Sequence, residues 1–204
     1  MQVRSIQLEK RCRSPKEFPR LSVPEVAFCG RSNVGKSSLI NALVNRKGLV
    51  KVSSTPGKTR TIDFFRLNDR FRFVDLPGYG YAAVSRDLQE RWKSLIESYF
   101  RGRERLAAVV WILDIRREIS ERDWMLWEWL RGQNARCIAV CTKADKLPHG
   151  QRMRRLAAIR EVLREDVSPI LFSSRTGLGK DALWREIRRT LSEIDEDLRD
   201  DDKT

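Results

Sequence analysis

The sequence predicts a three-layer α/β fold with a mostly parallel sheet, and two observations carry that prediction. Short apolar runs alternate with helical stretches along most of the chain. A loop of the form G-x-x-x-x-G-K-S, Gly30-Arg31-Ser32-Asn33-Val34-Gly35-Lys36-Ser37, stands between the first such run and the first helix. Six strands are expected in the sheet, with a hairpin supplying one antiparallel edge strand.

The elements follow in order. Residues 1–22 are an extended basic lead-in, because Pro15, Pro19 and the nearby Pro24 oppose a helix. Val26-Ala27-Phe28-Cys29 suits a buried strand, and Ser38 to Val44 carries helical apolar spacing. The polar, turn-rich stretch from Gly48 to Thr61 reads as a mobile loop. Ile62–Leu67 and Phe71–Asp75 flank Asn68-Asp69-Arg70 as a hairpin. A helix over about 87–100 precedes Leu106–Asp114, whose continuous apolarity suits a central parallel strand. Helix, strand, helix, strand and helix then follow near 120–131, 136–142, 151–164, 169–173 and 180–191. The nucleotide-binding body is therefore expected over 23–192, with an acidic tail over 193–204 expected to be disordered.

Composition narrows the class of function. In 204 residues there is no apolar run near the roughly 18 that span a bilayer, and no apolar signal region leads the chain. Arg4, Lys10, Arg11 and Arg13 would suit an organelle transit peptide, but Glu9 and Glu17 interrupt them. Cys12, Cys29, Cys137 and Cys141 lack metal-type spacing and read as reduced core thiols of a cytoplasmic protein. The net charge of +13 understates the basic body, since residues 193–204 hold seven acidic and two basic side chains and leave 39 basic against 21 acidic elsewhere. Such a body favours polyanions, RNA or an anionic membrane. Trp124, Trp127 and Trp129 crowd one helix. Core packing is favoured for them over an exposed docking site.

The loop at 30–37 dictates its own chemistry. Gly30 and Gly35 let backbone N–H groups approach crowded phosphate oxygens without a Cβ in the way. Arg31, Ser32, Asn33, Val34 and Ser38 complete the cradle. Lys36 would bring an ammonium to the β- and γ-phosphates, and Ser37 would place its hydroxyl on magnesium at the positive end of the following helix. Asp75-Leu76-Pro77-Gly78 stands at a strand end, where the carboxylate can approach magnesium through water and Gly78 can offer its N–H to the γ-phosphate. Thr142-Lys143-Ala144-Asp145 ends another apolar strand. Asp145 would accept from N1–H and the amino group of guanine, whereas adenine would leave it unpaired. Lys143 would lie along the base and brace the phosphate loop, and Ser173-Ser174-Arg175 would offer a backbone N–H to the guanine oxygen. The nucleotides are thus GTP and GDP.

Three stretches carry a closer likeness. The runs Gly30 to Asn41, Thr55-Pro56-Gly57-Lys58-Thr59-Arg60 and Asp75-Leu76-Pro77-Gly78-Tyr79-Gly80-Tyr81-Ala82 resemble the EngB (YihA/YsxC) family of ribosome-biogenesis GTP-binding proteins, within the TRAFAC-class translation GTPases. The resemblance spans roughly residues 20–192. It implies a Ras-like P-loop GTPase fold, slow GTP hydrolysis and a monomer that assists assembly of the large ribosomal subunit from ribosomal RNA and protein. By the same resemblance Gly57, Lys58 and Thr59 belong to a mobile loop, with Thr59 closing on magnesium and γ-phosphate. Thr61 is a nearby rival for that threonine. Ser173-Ser174-Arg175 departs from the commoner Ser-Ala-Lys pattern.

Two substitutions in the pattern bear on mechanism. Tyr79 stands where many Ras-like enzymes carry a water-positioning glutamine, so slow intrinsic hydrolysis is expected. Asn33 stands where related GTPases hold a potassium ion, and the alternative is an asparagine that only supports the turn. The basic helix with Arg152, Arg154, Arg155, Arg160 and Arg164, the pair Arg116 and Arg117, and the N-terminal segment are candidate contacts for the ribosomal partner. Two rivals stand beside this function. One is a P-loop small-molecule kinase, and the other is a nucleotide-gated adaptor at an anionic membrane or cell-division site.

Overall fold

A computed structural model of the chain describes residues 3–50, 61–79, 86–133, 135–163 and 167–201. Strand β1 (Ile6–Cys12) and a 3-10 turn at Pro15–Glu17 lead into β2 (Glu25–Gly30) and helix α1 (Lys36–Leu43). The hairpin β3 (Ile62–Leu67) and β4 (Phe71–Asp75) is followed by α2 (Arg86–Arg101), β5 (Leu106–Asp114), α3 (Glu121–Arg131) and β6 (Arg136–Thr142). A 3-10 turn at Ala144–Lys146, α4 (His149–Leu163), β7 (Ile170–Leu171) and α5 (Lys180–Asp201) complete the chain.

The strands form one sheet in the order β1-β3-β4-β2-β5-β6-β7. From β4 to β7 the pairing is parallel, and β3 is antiparallel to both of its neighbours. The two central strands β2 and β5 are buried along their whole length. Their alternate residues feed two cores. Val26, Phe28, Val110 and Ile112 pack with Leu39 and Leu43 of α1 and with Leu183, Trp184 and Ile187 of α5. Ala27, Cys29, Val109 and Trp111 pack on the other face with Tyr99 of α2, Trp127 and Leu130 of α3, and Leu156 of α4. Period-two side chains on a sheet covered on both faces thus produce the three layers.

The sheet has seven strands where six were expected, and the edge strand is β1. Sequence pattern hides β1 because Gln7, Leu8, Glu9, Lys10 and Arg11 are all exposed and only Cys12 is buried. Remote partners hold it instead. Arg11 clamps Asp63 on β3 with Nε and Nη2 at 2.7–3.0 Å. The hairpin turn has positive φ at both Asn68 and Asp69, the geometry of a type I′ turn, and Asn68 Oδ1 accepts from the N–H groups of Arg4 and Ser5.

Helix α5 runs to Asp201, through most of the acidic stretch expected to be disordered. Ile194 continues the apolar line of Leu183, Ile187 and Leu191 against the core, and Arg136 and Arg189 both pair with Glu193. The Trp-rich helix α3 is largely core. Trp127 stacks on Trp111 with ring centroids 5.0 Å apart, Trp129 meets Phe100 edge-on at 4.8 Å, and of the large apolar side chains of α3 only Met125 is exposed, at 64%. All four cysteines are free, and burial pushes the Cys12 and Cys137 thiols up to about 11 and Cys141 to about 12, which suits inert packing groups.

A buried ionic cluster lies at the N-terminal end of β2. Glu25, at the start of β2, receives Arg103 at 2.5 and 3.0 Å, Arg72 at 3.2 Å and the Tyr99 hydroxyl at 3.1 Å. Arg72 also forks onto Glu9 of β1 at 2.7 and 2.8 Å. The Arg103 guanidinium lies 5.3 Å over the Phe64 ring and donates to the Pro19 carbonyl.

Candidate nucleotide site

The predicted nucleotide residues collect at the C-terminal ends of β2, β4, β5 and β6, where ligands of open α/β sheets bind. At the end of β2 a Cβ on Gly30 would lie 2.7 Å from the Ile112 carbonyl, so the close approach of β5 requires glycine there. Gly35 has φ +105°, outside the range of other residues, and stands just before α1. Its position leaves the first-turn N–H groups of α1 facing the loop without a side-chain cap. Asn33 also has positive φ, at 63°, a conformation asparagine tolerates better than most. The Lys36 ammonium pairs with Asp75 Oδ1, which joins phosphate loop to strand β4. Burial pushes the Asp75 carboxyl above its usual range, and the Lys36 ammonium opposes that shift.

Gly78 packs against the loop from the far side. A Cβ there would meet the Ser32 backbone and Oγ at 3.1 Å, so glycine lets the D-x-x-G segment lie on the phosphate loop. The half-buried Tyr79 side chain turns toward α3, where its hydroxyl donates to Asp123 at 2.6 Å.

The other end of the site is braced by Thr142, Lys143 and Asp114, of which only Asp114 lies outside the motifs that the sequence pattern singles out. Thr142 lies beneath the loop, 3% exposed, with its hydroxyl 2.6 Å from the Val34 carbonyl and 2.9 Å from that of Leu113. Through the Val34 carbonyl it supports the loop. Lys143, with φ 59°, reaches across to donate to the Asn33 carbonyl at 2.7 Å and pairs with Asp114 at 3.0 Å. Asp114 also receives the Arg116 guanidinium at 2.7 and 2.9 Å. Burial works against its charge, yet Arg116 and Lys143 outweigh it and hold the carboxyl down at about 2. An acidic residue closing a nine-residue apolar strand is the one sequence signal that marks Asp114.

Asp145 Oδ1 accepts from the buried Ser173 hydroxyl at 2.7 Å, which holds its carboxyl below the usual range. Ser173 Oγ in turn accepts from the N–H groups of Arg175 and Thr176. The Arg175 N–H is therefore engaged.

Gly57, Lys58 and Thr59 lie outside the described residues. Thr61, the rival of Thr59, lies just before β3, is buried and donates to Asp63 at 2.8 Å, so its hydroxyl is occupied. Among the described residues no three His, Cys, Asp or Glu side chains gather to hold a metal. Magnesium at phosphates needs no such cage, because one carboxylate and the phosphates suffice beside a hydroxyl. Asp75 and Ser37 fit that requirement. On α4, Arg154 and Arg160 are exposed, whereas Arg152 donates to the Leu147 carbonyl and Arg155 to Glu118 and the Ile115 carbonyl. Arg164 lies outside the described residues.

Residues 25–143 match the family model described as 50S ribosome-binding GTPase. A relative from Syntrophus aciditrophicus, called a probable GTP-binding protein EngB, is 46% identical over 193 residues, covering 95% of this chain and 98% of the relative. The chain belongs to the EngB family of GTP-binding proteins. An EngB relative from Syntrophomonas wolfei is 48% identical over 178 residues, covering 87% of this chain and 90% of its own. The crystal structure of a probable GTP-binding protein engB superposes with a TM-score of 0.68 at 25% identity, over 83% of this chain and 99% of that one. Era of Aquifex aeolicus bound to GDP.AlF4-, at 24% identity and a TM-score of 0.62, covers 83% of this chain and 57% of its own and shares the fold. This EngB chain is accordingly a Ras-like GTPase, which binds GTP and hydrolyses it. Among the described residues no helix is long and apolar enough to cross a membrane.

Proposed function

We propose that this EngB-family GTPase is a monomeric cytoplasmic switch that assists assembly of the large ribosomal subunit. The observation that carries the nucleotide roles is the convergence of Lys36, Asp75, Gly78, Lys143 and Asp145 at the C-terminal ends of the parallel strands, each tied to the phosphate loop or to a strand end. Lys36, Gly30 to Ser38 and the first turn of α1 bind the phosphates. Ser37, Asp75 through water, and Thr59 hold magnesium, which neutralises charge between the β- and γ-phosphates when bound. Asp145 and a backbone N–H of Ser173-Ser174-Arg175 read guanine, and Lys143 joins base to phosphate loop. Gly57, Lys58 and Thr59 together with Gly78 sense the γ-phosphate, so the two loops order with GTP and relax after hydrolysis.

Tyr79 supports slow intrinsic turnover, since its hydroxyl is spent on Asp123 and no glutamine takes its place beside Gly78. Asn33 is the candidate ligand for a potassium ion. Its side chain is exposed at the loop and has no hydrogen bond among the described residues. Hydrolysis at saturating GTP is expected to run severalfold faster in potassium than in sodium buffer. Equal rates would leave Asn33 as a turn residue only.

The ribosomal partner draws support from the description of the matched family and from the basic surface with Arg117, Arg154 and Arg160 exposed. Co-sedimentation with 50S particles is expected with a non-hydrolysable GTP analogue, weaker with GDP, and falling steeply as salt rises. Retention on acidic liposomes in place of 50S particles would move the function to a membrane adaptor.

A further inference from the structure

Tyr79 follows Gly78, and its backbone forms a short parallel bridge with Arg31 of the phosphate loop. The Tyr79 N–H donates to the Gly30 carbonyl at 3.2 Å, and its carbonyl accepts from Ser32 N–H at 3.0 Å. Gly78 and Tyr79 therefore ride on the phosphate loop as a pair. The side chain of Tyr79 runs toward α3. There its hydroxyl donates to Asp123 Oδ1 at 2.6 Å and lies 3.4 Å from the Trp111 indole nitrogen. Burial, with Asp123 beside it, pushes the phenol well above its ordinary range, so it stays a donor.

Asp123 is 2% exposed, in the first turn of α3. Its second oxygen, Oδ2, accepts from the Ser120 N–H at 2.9 Å and the Ser120 hydroxyl at 2.5 Å, closing the capping box of α3. The same oxygen lies 3.8 Å from the Arg31 guanidinium. One buried carboxylate thus joins the phosphate loop, the D-x-x-G segment and the start of α3. Capping uses Oδ2 alone. A carboxylate removed from water this far is costly unless its other oxygen is also bonded, and the Tyr79 hydroxyl supplies that bond.

We propose that Asp123 is a positioning residue for GTP hydrolysis, which fixes the Gly78 N–H for the γ-phosphate through the Tyr79 hydroxyl and steadies the phosphate loop through Arg31. The proposal rests on the γ-phosphate role assigned to Gly78 above. Tyr79 is the link: pinned at its backbone to the phosphate loop and at its hydroxyl to α3, it leaves Gly78 little freedom to drift. The effect falls on the triphosphate, because GDP has no group for the Gly78 N–H to meet.

The test compares Tyr79→Phe, Asp123→Asn and Gly78→Ala in the full chain. Affinities for GDP and for the non-hydrolysable imido analogue of GTP, single-turnover hydrolysis and the melting temperature are measured for each. Tyr79→Phe keeps the ring and removes only the hydroxyl. It is expected to lower the analogue-to-GDP affinity ratio about tenfold and to slow hydrolysis, with GDP affinity held within about twofold. Asp123→Asn loses the charge that faces Arg31 and turns an NH2 onto either the Tyr79 hydroxyl or Ser120, so it too is expected to lower the ratio and slow hydrolysis. The double variant is expected to lose less than the sum of the two, since they share the Tyr79–Asp123 bond. If both variants shift only the melting temperature while Gly78→Ala lowers the ratio, Asp123 is a helix cap and the proposal is overturned, with the role of Gly78 intact. If Gly78→Ala also leaves the ratio unchanged, the γ-phosphate role of Gly78 falls and this proposal falls with it.

Discussion

Changing Asp145 to asparagine is expected to weaken guanine nucleotide binding by about a hundredfold and to raise affinity for xanthine nucleotides. The local geometry gives the reason. Asp145 Oδ1 is already fixed by the Ser173 hydroxyl, so the carboxamide oxygen of an asparagine would keep that bond and turn its NH2 toward the base. Guanine presents an amino donor there and clashes, whereas xanthine presents an oxygen and accepts. The native carboxyl, held low by Ser173, is ionised throughout the neutral range, so the exchange does not depend on pH near 7. Competition binding with GDP, XDP and ADP measures it. Unchanged GDP affinity would remove Asp145 from base recognition.

The second large effect is expected far from the nucleotide. Arg103→Ala strips the bidentate partner from Glu25, a fully buried carboxylate at the opposite end of β2 from the phosphate loop. Breaking one side of a buried pair costs about 3–5 kcal/mol, since the remaining charge has no water to turn to. Arg72 and the Tyr99 hydroxyl still touch Glu25, which places the loss toward the lower end of that range. Chemical denaturation reads the change, and Arg103→Lys restores only part, for lack of the planar fork. GDP affinity of the folded variant is expected to be unaltered. A loss below about 1 kcal/mol would show that the cluster contributes little to stability.

Both effects rest on partners that lie far apart in the chain, and this distance decides what the sequence shows. The gathering of Lys36, Asp75 and Asp145 at the C-terminal strand ends is legible because each stands just past or at the end of an apolar run. β5 is legible because nine consecutive residues are buried. By contrast, Asp123 reads as an ordinary helix-start acid, and only the fold brings it to Tyr79, 44 positions earlier. Asp114 is likewise ordinary until Lys143 and Arg116 meet on it. Strand β1 has no apolar face to announce it, because Arg11 and Glu9 dock through ion pairs to Asp63 and Arg72. The end of α5 misleads in the other direction. Its acidic composition suggests a solvated coil, while Ile194 carries the packing stripe onward and cations on β6 and α5 meet Glu193.

The placement of β1 has a consequence during synthesis. It leaves the ribosome ahead of its partners, since the strand it pairs with ends at Leu67 and the arginine that holds its Glu9 is Arg72. The nascent chain must therefore carry β1 unpaired until the hairpin has emerged, and β3 presents an open edge until β1 returns to it. The exposed charges of Lys10 and Arg11, useless as a core pattern, keep that waiting strand soluble.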